Sequence, residues 1–205
     1  MNLPNQLTLA RVMMVPLFVL LLSFHHWVCY TLGYVVFAAA AITDYWDGKI
    51  ARSRNLVTNF GKLLDPVADK VLLTAGFLML MVLPSPQDKS VLSLDIPGWT
   101  VVAILAREFL VTGVRSLAAS EGVVIAANKF GKAKAAIQMV YVFVFLLLAI
   151  AEQFVVWWLP QEASYYRAGL IWSSYFAIVA VAVYTVYSGV QFMRINWREL
   201  HLGRL

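Results

Sequence analysis

Apolar residues run along this chain in six long blocks, and the polar residues gather mostly between them. The blocks cover 8–24, 27–46, 66–83, 98–119, 132–151 and 167–191. A helix needs roughly 20 mostly apolar residues to cross a hydrocarbon core. The pattern therefore predicts an all-α polytopic membrane protein with six transmembrane helices. Turn formers punctuate the short connections: Pro84-Ser85-Pro86, Pro97-Gly98, Glu121-Gly122 and Pro160. No internal repeat, low-complexity run or long linker parts the chain, so residues 1–205 read as a single membrane domain. The N-terminus does not read as a cleavable signal. No basic region precedes the first apolar block, and Arg11 lies inside it.

Composition sharpens this picture. Hydrophobic residues make up 61% of the 205 and charged residues 13%, against about 45–50% and 25% in soluble domains. That excludes disorder and argues against an ordinary soluble globule. Cys29 is the only cysteine, which excludes a disulfide scaffold. A net charge of +5 could suit nucleic acid, but in a membrane protein it fits cytoplasmic loops rich in Lys and Arg, and no nucleic-acid partner is expected. Lys49, Arg52, Arg54, Lys62 and Lys70 gather around the connection after the second block. Lys129, Lys132 and Lys134 lie on the same side, as do Arg194, Arg198 and Arg204 of the tail. The opposite side holds Lys89 and Arg167 against Asp88, Asp95, Glu152 and Glu162. The bias places both termini in the cytoplasm. His25-His26 lacks a third ligand and reads as solvated turn residues. Trp157-Trp158, Tyr165-Tyr166 and Trp172 read as an interfacial aromatic belt on the outer side.

The chemistry concentrates in residues 41–70, AITDYWDGKIARSRNLVTNFGKLLDPVADK. Asp44 and Asp47 stand three positions apart near the cytoplasmic end of the second block; Asp65 and Asp69 stand four apart at the start of the third. Such spacings put each pair on one helix face. A tight antiparallel turn would bring four carboxylates together at the membrane boundary. Clustered carboxylates repel unless a cation sits among them. An all-oxygen set suits a hard divalent ion, Mg²⁺ or Mn²⁺, and two ions could share the four groups. Mg²⁺ commonly binds through carboxylates together with substrate phosphates. Gly48, Ala51 and Gly61 leave room for close approach. Arg52 offers a planar donor fork for phosphate oxygens.

Written as a pattern, these residues are Asp44-x2-Asp47-Gly48-x2-Ala51-Arg52-x8-Gly61-x3-Asp65-x3-Asp69. The pattern resembles the signature of the CDP-alcohol phosphotransferases, membrane enzymes that move a phosphoalcohol group out of a CDP-activated donor. The resemblance implies that Asp44, Asp47 and Asp65 ligate metal, and that Asp69 lies at the metal centre and acts as general base. It implies that Gly48, Ala51, Arg52 and Gly61 shape the site for the CDP donor, and that the protein is a homodimer. NLPNQLTLAR at 2–11, LLDPVADK at 63–70, AREF at 106–109 and FGKAKAA at 130–136 are similar to a bacterial branch of that family. In that branch the donor is CDP-diacylglycerol and the acceptor sn-glycerol 3-phosphate, at the cytoplasmic face of the inner (plasma) membrane.

The residues themselves also point to an anionic acceptor. Arg107 falls inside the fourth block, where an unpaired guanidinium costs on the order of 2.5–3.5 kcal/mol. Arg115 follows on the same block, and Lys132 and Lys134 open the fifth. A phosphate-bearing substrate would account for these four cations. Internal pairing of Arg107 or Arg115 with Glu108 is the plainer alternative, but one carboxylate cannot neutralise them all. An inositol phosphate acceptor would need a similar pocket; serine would not. An ion or proton transporter would place its acids near the bilayer midplane and often show inverted repeats, which are not visible. A prenyl-diphosphate enzyme would space its aspartates differently.

Overall fold

The computed structural model describes residues 3–24, 26–53, 59–83, 94–120, 122, 129–159 and 161–196. Within them, the side chains at 3–5, 44, 45, 47–53, 59–66, 129, 130, 132 and 157 lie outside the description. So do the turns at Pro84-Ser85-Pro86, Glu121 and Pro160, together with His25, Arg54, Asp88, Lys89, Arg198 and Arg204. The described residues form six helices and no strand: α1 (Leu3–Ser23), α2 (Trp27–Ser53), α3 (Asn59–Val82), α4 (Gly98–Ser120), α5 (Lys129–Trp158) and α6 (Ala163–Asn196).

The helices outrun the apolar blocks. α2 continues past 46 to Ser53, and α3 begins at Asn59, ahead of 66. Lys, Arg and Leu are good helix formers, and a backbone ladder need not stop where the apolar sequence does. Lys49 and Arg52 therefore belong to α2 and Lys62 to α3, not to a loop. Among the described residues, three helices are long and apolar enough to cross a bilayer: Gln6–Ser23, Ala133–Val156 and Ala163–Asn196. Trp27–Thr43 is a shorter apolar helix. α4 carries Arg107, Glu108 and Arg115 and is less apolar for that reason. At 1.5 Å per residue, α6 is about 51 Å long, against a hydrocarbon core of about 30 Å. Met13, Leu20, Val35, Val102, Leu110 and Val183 are each more than half exposed. Large apolar side chains on the outside of several helices suit a lipid solvent.

Packing divides the chain into two compact units, 1–95 with 142–171 and 96–141 with 172–205. In the first unit, α1 packs along α2 and α3. Its buried face is Thr8, Arg11, Val15, Phe18 and Leu22, spaced three and four apart. The facing stripe of α2 is Tyr30, Gly33, Phe37 and Ala40. The Phe18 and Phe37 rings lie 5.3 Å apart, and Phe143 of α5 meets Phe37 edge-on at 5.1 Å. At the other end, Trp27 packs on Phe154 at 5.7 Å. His26 is exposed, and its Nδ1 accepts the Val28 amide at 3.3 Å, capping the start of α2. Glu152 is 1% exposed and accepts from Arg167 Nε at 2.7 Å. These two residues are thus a buried ion pair between α5 and α6, not outer-loop charges. Both signs leave the tally together, so the Lys and Arg bias stands. Of the expected aromatic belt, Trp158, Tyr165 and Trp172 are well exposed, whereas Tyr166 is half-buried and its hydroxyl donates to the Leu148 carbonyl at 3.3 Å.

The second unit contains α4, α5 up to Tyr141, and α6 from Trp172. α4 starts where Thr100 Oγ1 donates to the Pro97 carbonyl at 2.7 Å. It ends where the Gly122 amide donates to the Ala119 carbonyl at 3.1 Å. Gly122 has φ +79°, a conformation that favours glycine after a helix.

Candidate active site

The acids of the motif stand on continuous helix. Asp44 and Asp47 belong to α2, and Asp65 and Asp69 to α3. Gly48, Ala51 and Arg52 follow on α2, and Gly61 precedes on α3. The face-sharing argument requires unbroken helix, and the backbone provides it. Of these side chains only Asp69 is described: it is half-buried, beside the buried Ala68.

The α1–α2 register brings to the level of the acidic motif two α1 residues that sequence reasoning passed over. Phe18 lies against Phe37, and a methyl group at Gly33 would collide with Leu22. Moving down α1 and up α2 in equal steps pairs Val15 with Ala40, Arg11 with position 44 and Thr8 with position 47. Arg11 is 0% exposed and Thr8 1%. The buried stripe of α1 thus turns polar at the level of the acidic motif. A fully buried guanidinium is costly unless compensated. The signal was the three-and-four spacing of 8, 11, 15, 18 and 22, which places Arg11 on the packed face.

Among the described side chains no group of three His, Cys, Asp or Glu could hold a metal; three of the four motif acids lie outside that description. The donor chemistry fits a hard divalent ion, since each of the four positions supplies only carboxylate oxygen.

In the second unit, two of the four cations expected to bind acceptor phosphate come together. Arg107 is 8% exposed and Lys134 7%. The Lys134 ammonium donates to Glu108 Oε1, and Arg107 Nη1 reaches the same oxygen at 3.3 Å. Gln138 Nε2 approaches that oxygen at 3.4 Å and donates to Thr185 Oγ1 of α6 at 3.1 Å. The Arg107 stem lies on Gly189, where a Cβ would stand 2.8 Å from its Cγ. Arg107 Nε is buried without a hydrogen-bond partner among the described residues. Arg115 makes no ion pair with Glu108; its guanidinium lies 5.3 Å over the Phe192 ring. The Lys132 side chain lies outside the description. Internal pairing is therefore real for Arg107 and Lys134 and does not extend to Arg115.

Pairing does not exhaust the charge. The described side chains of this unit include Arg107, Arg115, Lys134 and Arg194 but one carboxylate, Glu108. A groove of about 780 Å³ runs between α4 and α6, walled by Ala106, Leu110, Val114 and Val190, with Arg107 and Arg194 also on its lining. Gln138, Thr185 and Arg194 were not singled out from sequence. Gln138 could have been, because it lies one turn from Lys134 on α5.

Helices rich in apolar surface, the spaced acids and the surplus of buried cations agree with the comparisons. The family model for CDP-alcohol phosphatidyltransferase matches residues 1–186. The chain belongs to the CDP-alcohol phosphatidyltransferase family. It is 36% identical over 97% of its length to the CDP-diacylglycerol–glycerol-3-phosphate 3-phosphatidyltransferase of Bacillus subtilis, covering 97% of that protein. It is 41% identical over 67% of its length to the enzyme of the same name from Rickettsia typhi, covering 72% of it. A probable phosphatidylglycerophosphate synthase of Mycobacterium tuberculosis is 39% identical over 71% of the chain and 66% of its own length.

Proposed function

We propose that this protein transfers the phosphatidyl group of CDP-diacylglycerol to sn-glycerol 3-phosphate, releasing phosphatidylglycerol phosphate and CMP in phospholipid biosynthesis. The near full-length identity to a relative named for that reaction supports the reading. The observation in the fold that carries it is the pair of buried cations, Arg107 and Lys134, that share one carboxylate, Glu108, in the second unit. A phosphate-bearing acceptor needs such a pocket, whereas serine or free glycerol does not.

Asp44, Asp47, Asp65 and Asp69 would hold Mg²⁺ or Mn²⁺, in our reading two ions. When bound, the ions neutralise the diphosphate and stabilise the departing CMP. Gly48, Ala51, Arg52 and Gly61 accommodate the donor. Arg107, Arg115, Lys132 and Lys134 take the acceptor phosphate and leave its hydroxyl free to react. That hydroxyl attacks the phosphatidyl phosphorus, the bond from phosphorus to the CMP oxygen breaks, and Asp69 accepts the hydroxyl proton. We further propose that residues 1–205 are one membrane domain with six spans, with both termini and the site facing the cytoplasm across the inner membrane. The working form is a homodimer.

The test is an acceptor screen on purified protein with CDP-diacylglycerol and Mg²⁺ or Mn²⁺, reading CMP release. Glycerol 3-phosphate should support turnover, and glycerol, serine and inositol phosphate should not. Equal rates with glycerol and glycerol 3-phosphate would remove the need for a phosphate pocket and overturn the assignment.

A further inference from the structure

We infer that Glu108 is a positioning residue for the acceptor phosphate, a role that rests on the reaction proposed above. It is the one carboxylate among the described side chains of the second unit, and one of its oxygens gathers donors from two helices. Lys134 and Gln138 come from α5, and Arg107 from α4 beside it. Gln138 carries the chain of contacts on to Thr185, so α6 is tied in as well. Thr185 is itself held within its helix environment, with Ser188 Oγ donating to its carbonyl at 2.8 Å.

Two cations this deeply buried repel each other and lose solvation. A shared carboxylate offsets both costs and keeps the two groups charged. It also settles their geometry. A lysine ammonium sits on a flexible four-carbon stem, and a phosphate site works best when its donors are already aimed before the ligand arrives. Glu108 anchors the Lys134 ammonium and so fixes the end of that flexible stem beside Arg107. Arg107 uses Nη1 on Glu108, and its Nε has no hydrogen-bond partner among the described residues. The arrangement is a pair of cations aligned by an acid that does not itself touch the substrate.

The experiment compares Glu108→Gln, Glu108→Asp and Gln138→Leu with the parent enzyme, purified in detergent. CMP release is measured against glycerol 3-phosphate at saturating CDP-diacylglycerol, and then against CDP-diacylglycerol at saturating acceptor. Glu108→Gln should raise KM for glycerol 3-phosphate by about tenfold, the size of one weakened charge-assisted hydrogen bond. KM for the lipid donor should stay within about twofold, since no donor contact is lost. Glu108→Asp should recover part of the loss, because it restores the charge on a shorter arm. Gln138→Leu should move the same KM in the same direction by less, and it carries the test if Glu108→Gln does not fold. An unchanged or lowered acceptor KM would overturn the inference, as would equal rises in both KM values, which mark a merely structural role. A parent enzyme that releases no CMP with glycerol 3-phosphate would remove the proposed reaction, and this inference with it.

Discussion

Gly189→Ala tests whether Arg107 is held in place by packing as well as by charge. A Cβ at position 189 would lie 2.8 Å from Arg107 Cγ and 3.3 Å from its Nε. The nearer atom belongs to the stem, close to the α4 backbone, so the side chain must swing rather than bend at its tip. A displacement of several tenths of an ångström would lengthen a contact to Glu108 that already stands at 3.3 Å. Overpacking of this kind costs about 1–3 kcal/mol, while glycine to alanine inside a helix returns about 1 kcal/mol. The net loss is about 0–2 kcal/mol, so the melting temperature should fall by no more than ~8 °C, at ~2–4 °C per kcal/mol for a chain of this size. Acceptor binding has no such compensation, and KM for glycerol 3-phosphate should rise about tenfold. Gly113→Ala on α4 is the control, because nothing lies within 4 Å of a Cβ there; it should raise the melting temperature slightly and leave KM alone. The assay is CMP release across an acceptor titration, paired with a thermal melt in the same detergent. An unchanged acceptor KM in Gly189→Ala would show that Arg107 is not placed by this contact.

Asp44→Asn, Asp47→Asn and Asp65→Asn should each abolish CMP release and weaken Mn²⁺ binding measured by calorimetry; three variants that bind and turn over normally would exclude the four-carboxylate site. Asp69→Asn should keep donor binding and lose about 10²–10⁴-fold in kcat, the usual contribution of a positioned base; loss of donor binding as complete as in Asp44→Asn would instead make it chiefly a ligand. Arg167→Met should strand the buried Glu152 carboxylate and cost about 3 kcal/mol, the low end for breaking a buried pair because Arg167 is partly exposed. A thermal melt reads that loss, and Arg167→Met together with Glu152→Gln should recover most of it.

Much of this protein was legible along the chain, because helical membrane structure is written locally. Apolar blocks long enough to span lipid announce helices, since the bilayer leaves a single chain few other ways to satisfy its backbone. The spacings of Asp44 with Asp47 and Asp65 with Asp69 carry meaning because a helix returns to the same face every three to four residues. The same logic set out the motif from Asp44 to Asp69 and the resemblance it bears. Other features depended on which helix faces meet. Arg11 became part of the acidic level only through the register fixed by Phe18 with Phe37. Glu152 and Arg167 looked like loop charges until α5 and α6 carried them into contact. Glu108, Lys134, Gln138 and Thr185 lie on three helices, and charge alone could not say which cation the acid would take. Local spacing decides the face on which a side chain stands; what stands opposite is decided by packing between residues far apart in the chain.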